Sequence, residues 1–309
     1  MDSINIKDIA RICGVGVSTV SRAINNHPDI NPETKNMIMQ AIKEHNYIPN
    51  NSARNLKRTD SKAIAVLIKG ISNPFFNKMI RVFEEEIQKK KYLFIMQRVD
   101  ASEDEVDVAL ELIKEKKPRG IVFLGGFFSH SREKLEQLTV PFVLSTIGMT
   151  DSLEESSSYS WVSVDDYAES YKMTDYLCKL GHKRILILAA TQDDESIGRL
   201  RLEGYKKALE DNGIEPDEEL CVFSDAGRDC YTMDYGFASM SRILRENIVD
   251  FTAVYAISDS IAIGACKAIT ECGGKIPEDY SVAGFDGLDI AHYYNPTLTT
   301  IRQPVEEMA

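Results

Sequence analysis

Short, continuous apolar segments alternate with longer amphipathic segments from residue 63 to residue 286, and this alternation constrains the fold most strongly. The eight apolar segments span residues 63–69, 92–98, 120–126, 142–146, 161–165, 184–190, 253–258 and 280–286. Helical patterns span residues 74–91, 103–116, 166–180, 198–212, 232–246 and 259–272. Apolar strands separated by amphipathic helices predict parallel sheets with helices on both faces. Because eight strands exceed what one such domain usually needs, we expect two α/β lobes that divide near residues 161–164.

The first 25 residues follow a different pattern, which predicts two short helices joined by a tight turn. Apolar residues of the first segment repeat at helical spacing, at Ile6, Ile9, Ala10 and Cys13. After the Gly-Val-Gly turn at 14–16, a second helix carries polar residues on one face, namely Ser18, Ser21, Arg22 and Asn25. Hydroxyls, an amide and an arginine suit the major groove, so we predict a helix-turn-helix whose second helix reads DNA. A helical hairpin in some other small domain is the alternative.

A third helix is predicted from about Pro32 to His45, because Asn31 can cap it and Pro32 suits its first position. Residues 1–46 then form an all-α head, and residues 47–60 form a hinge with a short helix. A helix of about two turns is unstable alone in water. The hinge is therefore either a solvated linker or a segment that folds on DNA and inserts Leu56 into the minor groove.

The charge is distributed unevenly along the chain. The formal net charge is −12, yet residues 1–60 hold 8 Lys/Arg and 6 Asp/Glu, or +2. Residues 61–309 hold 28 and 42, or −14. A mildly basic head binds DNA weakly as a monomer, so we expect dimerisation to supply further phosphate contacts.

Several classes of protein lack support in the sequence. The six cysteines form no C-x-x-C pair and no zinc spacing, which predicts free thiols and no metal site. No apolar run approaches the roughly 20 residues that span a bilayer, and the N-terminus does not resemble a signal peptide, so we expect a cytoplasmic protein. Nucleotide-binding and hydrolase motifs are absent, so we expect neither an enzyme nor a cofactor. A periplasmic-type sugar-binding protein would need a signal peptide and no head.

The whole chain resembles the lactose-repressor/galactose-repressor family of bacterial regulators. The head and hinge motifs are Asp8-Ile9-Ala10, Gly14-Val15, Thr19-Val20-Ser21-Arg22, Asn46-Tyr47-x-Pro49-Asn50 and Ala53-Arg54-x-Leu56. The body motifs are Asn73-Pro74-Phe75-Phe76, Gly181-His182, Arg201-x-x-Gly204-Tyr205, Asp259-x-x-Ala262-x-Gly264, Gly284-Phe285-Asp286 and Thr299-Thr300-Ile301-x-Gln303. The resemblance implies an all-α helix-turn-helix head and an α/β, two-lobed, periplasmic-binding-protein-like body at 61–309. It places lobe one at about 61–161 plus 290–309, and lobe two at about 162–289.

Two features depart from the family pattern. Gly16 occupies a position where the family usually has a serine that caps the recognition helix. Glycine is a tolerated cap, so we expect a loss of only a few tenths of a kcal/mol in helix stability. The sequence ends at Ala309, just as a helix begins after Pro304, whereas family members continue with that helix and a final strand. Either the sequence is truncated or the protein lacks part of its body.

The resemblance implies roles for residues of the head and hinge. Base readout is expected from Val17, Ser18 and Arg22, with Arg22 reading guanine. Phosphate contacts are expected from Thr19, Ser21, Asn25, Thr34, Tyr47 and Asn50, although Tyr47 fits core packing equally well. In the hinge, Ala53 and Leu56 are expected in the minor groove, where Leu56 opens the central step of a near-palindromic operator.

The resemblance also implies a cleft between the lobes that closes on a small sugar-like effector. The expected effector-binding residues are Asn73, Phe75, Phe76, Asp165, Arg201, Tyr231, Ser258 and Asp286. Arg201 and Asp286 are the strongest of these, because unpaired charges inside a cleft are costly. For the weaker candidates Asn73, Asp165, Tyr231 and Ser258, loop capping or core packing is the alternative.

Together these residues predict a dimeric, sequence-specific DNA-binding transcriptional regulator, a repressor of carbohydrate-use genes. DNA and the effector favour different lobe arrangements, so each changes the affinity for the other. One alternative is a global catabolite regulator that responds to a protein partner. Another is a repressor that requires a corepressor, with a ligand other than a sugar.

Overall fold

The computed structural model describes residues 4–24, 26–45, 47, 61–100, 102–126, 130–147, 159–225 and 230–309. The chain divides into two compact units, Met1–Thr59 and Asp60–Ala309.

The first unit contains the three predicted helices. They are α1 Ile6–Ile12, α2 Val17–Ile24 and α3 Pro32–Glu44. Asn31 caps α3 as expected, since its Oδ1 accepts a hydrogen bond from the Glu33 backbone N–H at 2.8 Å. The core of this unit consists of Ile9, Ala10, Val20, Ala23 and Ile38. The predicted helix-turn-helix is confirmed.

The second unit contains two five-stranded parallel sheets. The described strands are β1 Ala63–Lys69, β2 Leu93–Val99, β3 Gly120–Leu124, β4 Phe142–Ser145, β5 Ser160–Val162, β6 Ile185–Leu188, β7 Cys221–Val222, β8 Ala253–Ala256, β9 Ser281–Asp286 and β10 Thr299–Arg302. The first sheet has the order β2-β1-β3-β4-β5, and the second has the order β10-β9-β8-β6-β7. We call the first sheet with its helices lobe one and the second sheet with its helices lobe two.

Helices connect most of these strands and cover both faces of the sheets. The described helices of this unit are Phe75–Lys89, Glu105–Lys116, Arg132–Leu135, Asp166–Lys179, Ile197–Asp211, Met233–Glu246, Asp259–Glu271, Asp289–Tyr293 and Val305–Met308. All four residues of β6 are buried, as expected for a strand covered on both sides. The predicted α/β architecture is confirmed. Within the described part of the chain, no helix is long and apolar enough to cross a membrane.

The division of the body differs from the prediction at its C-terminal end. Residues 290–309 were assigned to lobe one, but β10 pairs with β9 and therefore belongs to the sheet of lobe two. The chain returns to lobe one only after Arg302, because Met308 packs in the lobe-one core with Phe75 and Met79. The reason is the parallel ladder between β9 and β10, which holds the segment up to Arg302 in lobe two.

Candidate functional site

The exposed face of α2 presents the three residues predicted to read bases. Val20 and Ala23 are buried in the core of the head, whereas Val17, Ser18 and Arg22 are exposed. Val17 is an apolar side chain with 41% of its surface accessible. A helix with one face packed and the other free can enter a major groove without disturbing its own core.

Backbone hydrogen bonds to the Gly16 carbonyl stabilise the start of α2. This carbonyl accepts from the N–H groups of Thr19 at 2.9 Å and Val20 at 3.1 Å. A Cβ added to Gly16 would lie 3.5 Å from its nearest neighbour, Ser18 Oγ, which is an ordinary contact distance. The turn therefore has room for the serine that the family usually carries there.

The residues predicted to contact phosphate fall into two groups. Thr19, Ser21 and Thr34 are partly exposed, and Tyr47 packs against the hydrophobic core of the head. Asn25 and Asn50 lie outside the described residues, as do Ala53 and Leu56, which were predicted to occupy the minor groove.

In the body, the carboxyl ends of the strands in the two sheets face each other. Asn73 follows β1 of lobe one, and Asp286 is the last residue of β9 in lobe two. The Asn73 side-chain amide donates to Asp286 Oδ2 at 3.5 Å. Ligands of parallel α/β sheets bind outside the carboxyl ends of the strands, so the cleft between these two edges is the candidate effector site.

Arg201 lies in lobe two, on the helix Ile197–Asp211, and is only 1% exposed. Its Nε donates to Asp166 Oδ1 at 2.8 Å, and its Nη2 lies 2.7 Å from the same oxygen. Nη1 donates to the Ile257 carbonyl and lies 3.9 Å from Asp286 Oδ1. The Phe285 ring stacks under the guanidinium at 3.6 Å. Burial alone would lower the pKa of Arg201, but Asp166 and Asp286 raise it, so the side chain stays charged.

Asp286 is fully buried and receives donors from both lobes. Its Oδ1 accepts from Gln303 Nε2 at 2.9 Å, in addition to the bond from Asn73. Its backbone has φ of 124°. Residues other than glycine rarely adopt this conformation, and such residues are concentrated at functional sites. Burial raises the pKa of this carboxyl to about 7, although Arg201 opposes the shift.

Asp259 is a second buried carboxyl beside Asp286. It accepts hydrogen bonds from the Thr300 hydroxyl and from the Leu288 backbone N–H at 2.7 Å. Burial raises its pKa to about 6. Gly284 in β9 leaves the space that Asp259 needs, because a Cβ there would lie 2.3 Å from Asp259 Oδ1.

The other predicted effector residues have mixed placements. Phe75 and Phe76 are buried in the core of lobe one, with ring centroids 5.5 Å apart. The Tyr231 hydroxyl lies beside Gly198, one helical turn before Arg201. Ser258 caps the helix that begins at Asp259, where its Oγ accepts from the Ile261 N–H.

Asp165 does not contact Arg201, whereas its neighbour Asp166 does. Asp165 is exposed and caps the following helix by accepting from the Ala168 N–H at 2.9 Å. Asp166 is absent from the predicted effector residues. It lies on the buried stripe of that helix, together with Ser170, Met173, Thr174 and Leu177. Successive residues of this stripe are four, three, one and three positions apart. This helical spacing in the sequence indicates that Asp166 points inward.

Lobe one contributes a buried ion pair that no sequence pattern indicates. Lys69, the last residue of β1, places Nζ 3.0 Å from Glu105 Oε2 and donates to the Glu103 carbonyl at 2.7 Å. His130 Nε2 lies 3.4 Å from Glu105 Oε1. Both members of the pair are less than 10% exposed. Lys69 and Glu105 are 36 residues apart, so no local pattern predicts their contact.

Comparisons with known proteins agree with these two units. A family model described as "Bacterial regulatory proteins, lacI family" matches residues 5–50, and one described as "Periplasmic binding protein-like domain" matches residues 174–309. The HTH-type transcriptional regulator MalR of Clostridium butyricum is 41% identical over 307 residues, which cover 99% of this chain and 89% of MalR.

Solved structures share the fold over nearly the whole chain. A complex of the transcriptional regulator CelR with cellobiose has a TM-score of 0.68 at 27% identity, covering 99% of this chain and 89% of CelR. The lac repressor dimer bound to operator and the anti-inducer ONPF has a TM-score of 0.73 at 24% identity, with the same coverage of 99% and 89%. The chain therefore belongs to the lacI family of bacterial regulatory proteins, and it is a DNA-binding transcriptional regulator and not an enzyme.

Proposed function

We propose that this regulator is a dimeric repressor of carbohydrate-use genes that acts in the cytoplasm and is controlled by a small sugar-like effector. It binds a near-palindromic operator through two heads and two hinges. The observation that carries the effector proposal is the charged arrangement around Arg201 and Asp286 where the two sheets face each other. The solved complex of the regulator CelR with cellobiose supports a sugar ligand in this fold.

In this proposal the exposed face of α2 reads the operator. Val17 contacts a thymine methyl group, Ser18 contacts a base edge and Arg22 binds a guanine. The phosphate contacts come from Thr19, Ser21, Asn25, Thr34, Tyr47 and Asn50. Ala53 and Leu56 occupy the minor groove at the centre of the operator, where Leu56 unstacks one base step. A Leu56→Ala variant that bound and bent the operator like the unmodified protein would contradict this role.

In the cleft, Arg201 and Asp286 bind the hydroxyls of the effector. Two charged groups side by side, 3.9 Å apart, can bind vicinal hydroxyls, because a guanidinium donates two hydrogen bonds and a carboxylate accepts two. Asn73 adds an amide from lobe one and Tyr231 adds a ring beside Arg201. Phe75 and Phe76 support the lobe-one side of the cleft from the core of that lobe. We assign Asp165 and Ser258 to helix capping, on the hydrogen bonds described above.

The test separates the two sites with one variant in each. Genomic fragments bound by the full chain define the operator, and a panel of neutral mono- and disaccharides is screened for a change in operator affinity. Arg22→Ala is expected to weaken operator binding by about 1–3 kcal/mol per half-site while sugar binding persists. Arg201→Ala is expected to abolish the sugar response while operator binding persists. Normal sugar responses in both the Arg201→Ala and Asp286→Ala variants would contradict the effector site.

A further inference from the structure

The cleft contains buried basic groups whose charges are already matched. Among the described residues of the body, the buried Lys and Arg side chains are Lys69 in lobe one and Arg201 in lobe two. Lys69 pairs with Glu105 at 3.0 Å, and Arg201 pairs with Asp166 at 2.7 Å. Each lobe therefore presents its cation together with a carboxylate in direct contact.

Acidic groups outnumber basic groups in the same region. The buried carboxyl residues of the described body are Glu105, Asp166, Asp259 and Asp286. Asp259 and Asp286 thus have no cation of their own, and Asp286 shares Arg201 with Asp166 at the longer distance of 3.9 Å. The pKa of Asp286, raised to about 7 by burial, is consistent with a site that has too little positive charge.

Neutral polar groups add to the carboxylate oxygens on the lobe-one side. Thr146 follows β4, is 4% exposed, and its Oγ1 has no hydrogen-bond partner among the described residues. Its φ of 63° is unusual for a β-branched residue. Glu105 Oε1 is buried, lies 3.4 Å from His130 Nε2, and would lie 3.2 Å from a Cβ on Gly126.

We propose that the cleft selects an uncharged, hydroxyl-rich effector and rejects phosphorylated or carboxylated sugars. This inference rests on the proposed effector site between the lobes. Sugar hydroxyls can donate to the carboxylates and accept from Arg201 and Lys69 without disturbing either ion pair. A phosphate group would bring negative charge into a buried site whose cations are already neutralised, and its desolvation would not be compensated.

The experiment compares neutral sugars with their phosphates on the full chain. Glucose, maltose and cellobiose, each with its 6-phosphate counterpart, are titrated by calorimetry and assayed for their effect on operator binding. We expect a neutral sugar to bind, and its phosphate to bind at least about 100-fold more weakly. A phosphate that binds as tightly as the neutral sugar, or more tightly, overturns the proposal. If that binding is lost in Arg201→Ala, the effector site itself still stands. If no sugar of either kind binds, both proposals fail.

A pair of variants tests the physical cause. Glu105→Gln removes the charge that neutralises Lys69, so the discrimination against the phosphate should narrow by about tenfold or more. Asp104→Asn removes the same charge one residue earlier, where the side chain contacts Lys134 at 2.6 Å and His130 at 3.6 Å. It keeps the helix-capping geometry and should leave the discrimination unchanged. Equal discrimination in both variants would show that the Lys69–Glu105 pair does not set the preference.

Discussion

At the scale of single residues, Arg201 depends on Asp166 for its charge partner. Both side chains are 1% exposed, so neither charge is stabilised by water. Asp166→Asn keeps the size of the side chain but leaves the guanidinium without its closest counter-ion. We expect this variant to lose about 3 kcal/mol or more of unfolding free energy, as measured by urea denaturation at pH 7.

The adjacent residue gives a matched control for this prediction. Asp165→Asn removes the same charge from an exposed position, and asparagine caps a helix about as well as aspartate. We expect its stability to stay within about 0.5 kcal/mol of the unmodified protein. Equal losses in the two variants would contradict the assignment of Asp166 as the partner of Arg201.

The pKa of Asp286 leads to a prediction about pH. Its pKa is about 7 in the folded protein, against an ordinary value of 3.8, because burial disfavours the charged form. The folded state therefore holds this proton more tightly than the unfolded state does. The contribution of Asp286 to the free energy of unfolding is greatest below about pH 4 and declines as the pH rises to about 7. We expect the urea midpoint to fall more steeply between pH 5 and pH 8 in the unmodified protein than in Asp286→Asn. Parallel pH profiles would contradict this assignment.

At the scale of elements, the turn before the recognition helix contains two glycines with different constraints. Gly14 has φ of 63°, whereas Gly16 has a backbone that any residue can adopt and room for a Cβ. Gly16→Ser should add a side-chain cap and stabilise α2 by a few tenths of a kcal/mol. Gly14→Ser should destabilise the head by about 1 kcal/mol. Hydrogen exchange of the α2 amides in the full chain measures both effects. Faster exchange in Gly16→Ser would show that the turn does not accept a serine.

Whether a strand could be predicted from the sequence depended on its length and its burial. β6 and β8 were predicted because they are buried on both faces and read as continuous apolar runs. β7 was missed because its two residues, Cys221–Val222, are too few to form a pattern. Asp165 and Asp166 differ by one position on a helix, and only the register against the buried stripe tells which one points inward. The sequence offers two adjacent aspartates, and the structure places Asp166 inward and Asp165 at the start of the helix.

At the scale of the whole molecule, contacts between distant segments form the cleft. Asp286 accepts from Gln303 at a sequence separation of 17 and from Asn73 at a separation of 213. A single sequence contains no local pattern that joins such segments, so Gln303, Lys69 and Glu105 were not predicted as members of the site. Asn73, Arg201 and Asp286 were predicted only through the family resemblance.

The Asn73–Asp286 hydrogen bond joins the two lobes, and one substitution at residue 73 can place a second negative charge at this contact. Asn73→Asp places a second carboxylate about where the amide lies, 3.5 Å from Asp286 Oδ2. At pH 8 the two charges repel, so the closed arrangement of the lobes is disfavoured and effector affinity should fall by about tenfold or more. At pH 6, below the pKa of about 7 for Asp286, much of this loss should disappear. The single tryptophan, Trp161 in β5, gives a fluorescence signal for the titration.

Asn73→Ala separates charge repulsion from simple loss of the bond. Alanine removes the donor to Asp286 and the acceptor for the Phe75 N–H, which Asn73 Oδ1 binds at 3.1 Å, but it adds no charge. Its effector affinity should therefore fall by a factor that differs little between pH 6 and pH 8. If Asn73→Asp shows the same pH profile as Asn73→Ala, the carboxylate of Asp286 does not face residue 73 in the effector-bound protein. The lobes would then close through other contacts, and Asp286 would act within lobe two alone.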